Sequence, residues 1–276
     1  VRELIVEASE TLAGSTTPLL DAEVLAAHLT GKNRSWFYAH PEERLQPEYA
    51  KAFRDLVERR AAGEPIALIT GTREFWSLTL EVTGDVLIPR PETELLVELV
   101  LRHLPRDSAC RIADLGTGSG AIALALATEL PETFIVAVES SGPALDVARR
   151  NAQRLGIEHD RVEFRAGDWF ESLSNERFDC LVSNPPYVRD EDPHLQRGDV
   201  RFEPRGALAA GPDGLDAIRR IVTHAPDYLS AGGVLILEHG HDQQTAVMEL
   251  LHDAGASVDP HADLGGVPRA VVARFR

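Results

Sequence analysis

The tetrapeptide Asn184-Pro185-Pro186-Tyr187 stands directly after the apolar run Phe178-Asp179-Cys180-Leu181-Val182-Ser183. A residue before proline is pushed out of the α region, and proline has no N–H to give to a sheet ladder. Asn184 and Pro185 are therefore expected to be extended, and the strand to end with free carbonyls. Such an arrangement suits the binding of a planar NH2 group whose two hydrogens need acceptors while its nitrogen faces an electrophile. The Asn184 side-chain oxygen and the Pro185 carbonyl take one hydrogen each, and Tyr187 packs over the planar group. The nitrogen of an amide or aromatic amine is a poor nucleophile because its lone pair is delocalised. Acceptors that stabilise developing positive charge, together with close in-line alignment, answer that difficulty without a strong base. The plainer reading is a Pro-rich turn after a core strand, and its place relative to a glycine turn upstream argues against it.

That turn is Ile112-Ala113-Asp114-Leu115-Gly116-Thr117-Gly118-Ser119-Gly120, a carboxylate at a strand end followed by three glycines before a helix. Glycines let a ligand lie against the backbone, and Gly116-x-Gly118-x-x-Ala121 also meets the looser dinucleotide pattern, so the glycines alone do not choose a cofactor. Asp114 is placed to receive the ammonium of a bound methionine moiety, a group that a pyrophosphate cofactor lacks. Glu139 closes the run Phe134-Ile135-Val136-Ala137-Val138, about 20 residues on, where a carboxylate accepts hydrogen bonds from ribose hydroxyls in either cofactor. Asp168-Trp169 offers a carboxylate for an adenine amino group and an indole to pack on the ring. A solvated glutamate and a core tryptophan are the bland alternatives, but three acidic strand ends in series make coincidence harder to accept. An S-adenosylmethionine cofactor, with its sulfonium methyl as the electrophile, satisfies both motifs.

These residues need elements to position them. From 1 to about 70 the apolar spacing is helical, as in Leu20, Val24, Leu25, Ala27, His28, then Phe53, Leu56, Val57, with breaks at Gly14, Gly31, Pro41 and Pro47. From Thr72 to Ile88 polar and apolar residues alternate around Thr83-Gly84-Asp85, which predicts a strand pair turning there. A helix is expected after Pro91, with Glu92 and Glu94 in its first turn. Beyond Pro105, short apolar runs alternate with helical stretches, the pattern of a mainly parallel sheet covered on both faces. Strands are expected at Ala109 to Leu115, Thr133 to Glu139, Val162 to Ala166, Cys180 to Ser183, Val234 to Glu238 and Ala270 to Phe275. Helices are expected at Gly120 to Leu130, Pro143 to Leu155, Leu215 to Leu229 and Gln243 to Ala254. The long segment Val188 to Gly214, rich in charge, Gly and Pro, reads as a recognition loop or lid, or else as a disordered insert.

Composition bounds the partners. With 276 residues, two domains of unequal size are expected. No apolar run approaches a membrane span, the first residues VRELIVEASETL lack the form of a secretory signal, and Cys110 and Cys180 are too few for a disulfide framework. A cytoplasmic location is the expectation. The net charge of -16 would repel a polyanion unless basic residues were gathered on one face. Residues 1 to 70 carry eight Lys plus Arg against eleven Asp plus Glu, so the helical segment is not basic either. Glu238, His239 and His241 could be drawn as metal ligands, yet a strand-end carboxylate beside histidines is more often structural, and no metal is predicted.

The chain resembles the HemK/PrmC family, the protein glutamine N-methyltransferases that modify class 1 peptide chain release factors. The resemblance runs over nearly the whole length: Gly63-Glu64-Pro65-Ile66, Gly71-Thr72-Arg73-Glu74-Phe75-Trp76, Leu87-Ile88-Pro89-Arg90-Pro91-Glu92-Thr93-Glu94, Asp114 to Gly120, Asn184 to Tyr187, Asp199-Val200-Arg201-Phe202-Glu203-Pro204 and Leu237-Glu238-His239-Gly240. Adenine N6-methyltransferases share Asn-Pro-Pro-Tyr, so the other stretches carry the specificity. What the resemblance implies is an α/β fold: a Rossmann-like class I S-adenosylmethionine-dependent sheet, mostly parallel with one antiparallel strand near the C-terminus. It implies a helical substrate-recognition domain over 1–70, a β-hairpin connector over 71–90 and the methyltransferase domain over 91–276. It further implies methyl transfer to the glutamine amide of the release factors' Gly-Gly-Gln loop, with S-adenosylhomocysteine as product and a role in translation termination. Cofactor binding then falls to Gly116, Thr117, Gly118, Ser119, Gly120, Glu139, Trp169 and Asn184, and glutamine binding to Asn184, Pro185, Pro186 and Tyr187. Glu139 departs from the more usual aspartate, and Leu68 from an aromatic or histidine. Arg73 and Arg201 either position the substrate loop or pair with nearby carboxylates. The rival readings are a nucleic-acid adenine methyltransferase, a nicotinamide-dependent oxidoreductase and a non-catalytic cofactor-binding scaffold.

Overall fold

The computed structural model describes residues 1–44, 46–106 and 109–275. It divides into two compact units, Val1–Thr72 with Gly198–Phe202, and Arg73–Arg197 with the chain from Glu203 onward. No helix among the described residues is long and apolar enough to cross a membrane.

The first unit is helical: α1 (Arg2–Thr11), α2 (Pro18–Thr30), α3 (Arg34–Ala39), α4 (Pro47–Ala61) and α5 (Ile66–Thr70). Pro18 and Pro47 stand in the first turns of α2 and α4, where a missing N–H costs nothing, and Gly31 ends α2 in the left-handed region. Ile5, Leu12, Leu25, Phe37, Phe53, Val57 and Ile69 share one core. Beside that core a buried carboxylate is fully engaged: Asp21 accepts from Ser15, Thr17 and, at 2.7 Å, from Arg60 Nε. Arg60 also reaches Asp199 at 2.8 Å, and Arg201 donates to the Ala62 carbonyl. The Gly198–Phe202 turn is thus bound by two arginines into this unit.

The second unit opens on a hairpin, β1 (Thr72–Phe75) and β2 (Leu78–Glu81). Its turn is Trp76-Ser77, not Thr83-Gly84-Asp85 as the sequence pattern suggested. Both turn residues have positive φ, 51° and 60°, the geometry whose twist matches paired strands. Neither residue favours that conformation, and long-range bonds impose it: Trp76 N donates to Glu94 at 2.8 Å and Trp76 Nε1 to Glu129 at 2.9 Å. Thr83 to Asp85 forms a separate turn closed by Val86 N on the Thr83 carbonyl.

After a 3-10 turn at Pro91–Thr93 come α6 (Glu94–His103), β3 (Arg111–Leu115), α7 (Ala121–Glu129), β4 (Phe134–Glu139), α8 (Gly142–Leu155), β5 (Val162–Ala166) and β6 (Phe178–Ser183). Then follow α9 (Asp216–Tyr228), β7 (Leu229–Glu238), α10 (Gln244–Asp253), β8 (Ala256–Ala262) and β9 (Pro268–Phe275). The sheet order is β5-β4-β3-β6-β7-β9-β8. All pairs are parallel except those of β9, which runs antiparallel to both neighbours, so β9 is the one reversed strand. Alternate strand residues divide between two cores: Ile112, Ile135, Cys180 and Ile236 face α6 and α7, whereas Ala113, Val136, Leu181 and Leu235 face α9 and α10. The six predicted strands and five predicted helices, counting the one after Pro91, lie where the sequence put them, with ends that differ by up to five residues. One strand was missed. β8 carries Asp259 and Pro260 and lacks an apolar run, which an edge strand tolerates because its outer side needs no donors.

Within 188–214 the part belonging to this unit is folded rather than a disordered insert. Val188 pairs with Ala209, short turns form at Pro193–Gln196 and Arg205–Ala207, and Leu195 and Ala210 are buried.

Candidate active site

The parallel register puts the ends of β3, β4 and β6 on one edge, Leu115 opposite Val138 and Asp114 opposite Val182. Beside that edge lies a cavity of about 330 Å³. Its lining includes Gly116, Gly118, Glu139, Trp169, Asn184 and Pro186 from the strand ends, faced by Asp85, Val86, Leu87, Pro204, Gly206 and Ala207.

The glycine turn is pinned by Gly116 N and Thr117 N, which both donate to the Val138 carbonyl at 2.9 and 3.0 Å. Gly116 has φ of 76°, and a Cβ there would stand 3.4 Å from the Trp169 ring. Gly118 also has positive φ, 55°, but a Cβ there would meet open space on the cavity side. Gly120 serves packing instead: a Cβ would press on Leu124 and Ala148 at 3.0 and 3.3 Å. Ser119 is buried, and its carbonyl accepts from Asn151, which also bonds the Glu81 backbone.

Asp114 lies beneath this turn and outside the cavity lining. It is fully buried and accepts from Thr117 Oγ1 at 2.6 Å and Ala123 N at 3.2 Å, while Oδ1 has no hydrogen-bond partner among the described residues. Burial pushes its carboxyl up to about 7, against those two donors. In this arrangement Asp114 and Thr117 brace the turn, and the expected direct meeting of Asp114 with a ligand ammonium is not presented.

Glu139 does face the cavity. Its Oε2 accepts from Gly118 N and its Oε1 from Ser141 N, each at 2.9 Å, which fixes the carboxylate at the rim. Trp169, held at φ 56°, presents its indole across Gly116. The neighbouring Asp168 turns away: its carboxylate pairs with Arg220 of α9, so the structure does not bring it to the cavity with the tryptophan.

At the end of β6, Ser183 is buried and donates to the Leu115 carbonyl at 2.6 Å, locking the two strand ends together. Asn184 donates through Nδ2 to Thr93 Oγ1 at 3.0 Å, which leaves Oδ1 as its open acceptor. Pro186 lines the cavity with Asn184, whereas Pro185 is buried and Tyr187 is half-buried outside the lining. The Tyr187 hydroxyl donates to Glu238 Oε1 at 3.1 Å, and its carbonyl accepts from Gln243 Nε2 at 2.9 Å. Burial and the Glu238 charge push the Tyr187 hydroxyl well above its ordinary range, so it stays protonated. His239 is buried with Nδ1 at the Gly240 carbonyl, and burial lowers its pKa.

The facing wall was not visible as chemistry in the sequence. It is fastened by Glu203, whose Oε2 accepts from Ile88 N at 2.9 Å and whose Oε1 pairs with Arg90. Arg73 Nε donates to the Pro89 carbonyl at 3.2 Å and so supports the same stretch. Thr93 was likewise unseen. The signal lay in the motifs Leu87 to Glu94 and Asp199 to Pro204, which were noted for resemblance and not for contacts.

Residues 3–71 match the PrmC N-terminal domain family, and residues 93–199 match the methyltransferase small domain. A release factor glutamine methyltransferase from Xylella fastidiosa is 48% identical, covering 96% of both chains. The protein of that name from Escherichia coli is 46% identical over 98% of this chain and 96% of its own. The crystal structure of a methyltransferase from Pyrococcus furiosus shares the fold at 18% identity and a TM-score of 0.54, covering 78% of this chain and 95% of that one. With both segments matched in order and near-complete coverage at almost half identity, this chain belongs to the release factor glutamine methyltransferase family.

Proposed function

We propose that the protein transfers a methyl group from S-adenosylmethionine to the side-chain amide nitrogen of the glutamine in the Gly-Gly-Gln loop of class 1 peptide chain release factors. The observation that carries the chemistry is the Asn184 amide: with Nδ2 donating to Thr93, Oδ1 is the acceptor turned to an incoming NH2 group. The cavity suits the cofactor. Gly116 and Gly118 leave room that a side chain would fill, Glu139 offers a rim carboxylate to a ribose diol, and Trp169 offers a flat apolar face to a purine. When bound, S-adenosylmethionine supplies a methyl on a sulfonium centre and leaves as S-adenosylhomocysteine.

The protein's own part is positioning. Asn184 Oδ1 and the Pro185 carbonyl accept hydrogen bonds from the two amide hydrogens and stabilise the positive charge that grows on nitrogen. Once the N–CH3 bond has replaced the S–CH3 bond, that acidic nitrogen releases one proton to water. Pro186 bounds the site on the cavity side. Tyr187, anchored at both its hydroxyl and its carbonyl, supplies a rigid apolar wall beside the planar amide. The buried Asp114 contributes indirectly, by holding the turn that bears Gly116 and Gly118. The helical segment 1–70 is assigned to holding the release factor, 71–90 to connection and 91–276 to chemistry in the cytoplasm. A nucleic-acid substrate is disfavoured by a net charge of -16.

Purified protein should transfer labelled methyl to a release factor and not to the same factor with its loop glutamine replaced. Equal labelling of the two would remove the proposed target. Glu139→Ala should weaken S-adenosylhomocysteine binding by about ten- to a hundredfold, the worth of charge-assisted hydrogen bonds. Calorimetric titration measures it, and an unchanged dissociation constant would remove Glu139 from the cofactor site.

A further inference from the structure

The bond from Asn184 Nδ2 to Thr93 Oγ1 has a direction that needs a cause. A side-chain amide presents a donor on one side and an acceptor on the other, and a hydroxyl can play either role. Thr93 accepts reliably only when its hydrogen is claimed elsewhere. Thr93 is buried, at 4% exposure, and its hydroxyl lies near enough to Glu238 to act on that carboxyl, lowering its pKa. Glu238 ends β7 at 2% exposure, its Oε1 accepts from Tyr187, and its Oε2 has no hydrogen-bond partner among the described residues. An ionised carboxylate can only accept. It holds the Tyr187 hydrogen and attracts that of Thr93, which leaves the Thr93 lone pairs to the Asn184 NH2.

We propose that Glu238 and Thr93 are positioning residues that set the polarity of the Asn184 amide, so that Oδ1 and not Nδ2 faces the incoming NH2 group. The inference rests on the reading of Asn184 as substrate acceptor. Glu238 is faced by Thr93 and Glu92 from the Pro91–Thr93 turn, Tyr187 after β6 and Arg269 from β9, with His239 next on its own strand. Burial raises Glu238 to about 7 and Glu92 adds to the rise, opposed by Thr93, Tyr187 and Arg269. Above that pH Glu238 is ionised and accepts. Below it, the protonated group can donate to Thr93, freeing the Thr93 hydrogen to turn toward Asn184 and reverse the amide. Turnover should accordingly fall as pH drops through about 7.

The test compares Thr93→Val, which keeps the shape without the hydroxyl, with Thr93→Ser and Glu238→Gln. Two readouts are taken: hydrogen exchange of the ¹⁵N-labelled Asn184 side-chain NH2, and methyl transfer to a release factor. Thr93→Val should speed the exchange and lower kcat by about tenfold, the worth of one hydrogen bond, while KM and S-adenosylhomocysteine affinity hold. Thr93→Ser should restore both, and Glu238→Gln should lose the acidic limb of the kcat profile. Unchanged exchange in Thr93→Val, a Thr93→Ser as impaired as the valine variant, or an acidic limb retained in Glu238→Gln would each overturn the proposal. If exchange responds as stated but the wild type transfers no methyl to the release factor, the polarity assignment stands and the functional reading fails.

Discussion

Asn184→Ala should lower kcat by about a hundred- to a thousandfold, the range measured when a preorganised polar group is removed from a transition state. The reason for so large an effect lies in when the bond matters. An amide nitrogen carries little charge before transfer and a full positive charge at its end, so an acceptor on its hydrogens stabilises the transition state more than the ground state. S-adenosylhomocysteine affinity should stay within a few-fold, because Gly116, Gly118, Glu139 and Trp169 line the cavity independently of this side chain. KM for the release factor should change little, since contacts remote from the reacting nitrogen are untouched. Single-turnover transfer with saturating cofactor is the measurement. Wild-type kcat in this variant would refute the mechanism, and a collapse of cofactor affinity instead would move Asn184 from the substrate side of the site to the cofactor side.

The sequence made the strand ends legible because central parallel strands are buried on both faces and read as apolar runs. What it could not supply was direction. Asp114 shares the face of Ile112 by the two-residue alternation, which points it under α7 and to the first free N–H groups of that helix, away from the cavity. Asp168 lies past the last residue of β5, where the alternation no longer applies, and a distant arginine on α9 captures it. Glu139 and Trp169 lie in the cavity as expected, although nothing local distinguishes them from the two aspartates. The hairpin turn was misplaced for a related reason: Thr83-Gly84-Asp85 has turn chemistry, whereas Trp76-Ser77 is forced into its conformation by Glu94 and Glu129. Contacts across tens of residues also build the facing wall, and no periodicity announces them.

Glu203→Ala should destabilise the protein by about 3 kcal/mol, the lower end for breaking a buried ion pair, and lower the melting temperature by about 5–10 °C. The side chain of Glu203 is fully buried, whereas that of Arg90 keeps 33% exposure, which is why the lower end applies. Truncation removes two bonds at once. It leaves the buried Ile88 N–H without its acceptor and the Arg90 guanidinium without its carboxylate. Glu203→Gln should cost less, about 1–2 kcal/mol, because an amide oxygen can still accept from Ile88 while the charge opposite Arg90 is lost. The same bonds join two stretches of the cavity wall, Asp85 to Leu87 and Pro204 to Ala207, so loosening them also enlarges the space a cofactor must fill. Glu203→Ala should therefore weaken S-adenosylhomocysteine binding, and saturating ligand should raise the variant's melting temperature by less than it raises that of the wild type. Calorimetric melting with and without ligand separates the two effects. A variant that melts with the wild type would show that the pair contributes nothing to the fold. One that melts early but binds with wild-type affinity would show that the wall is shaped without it.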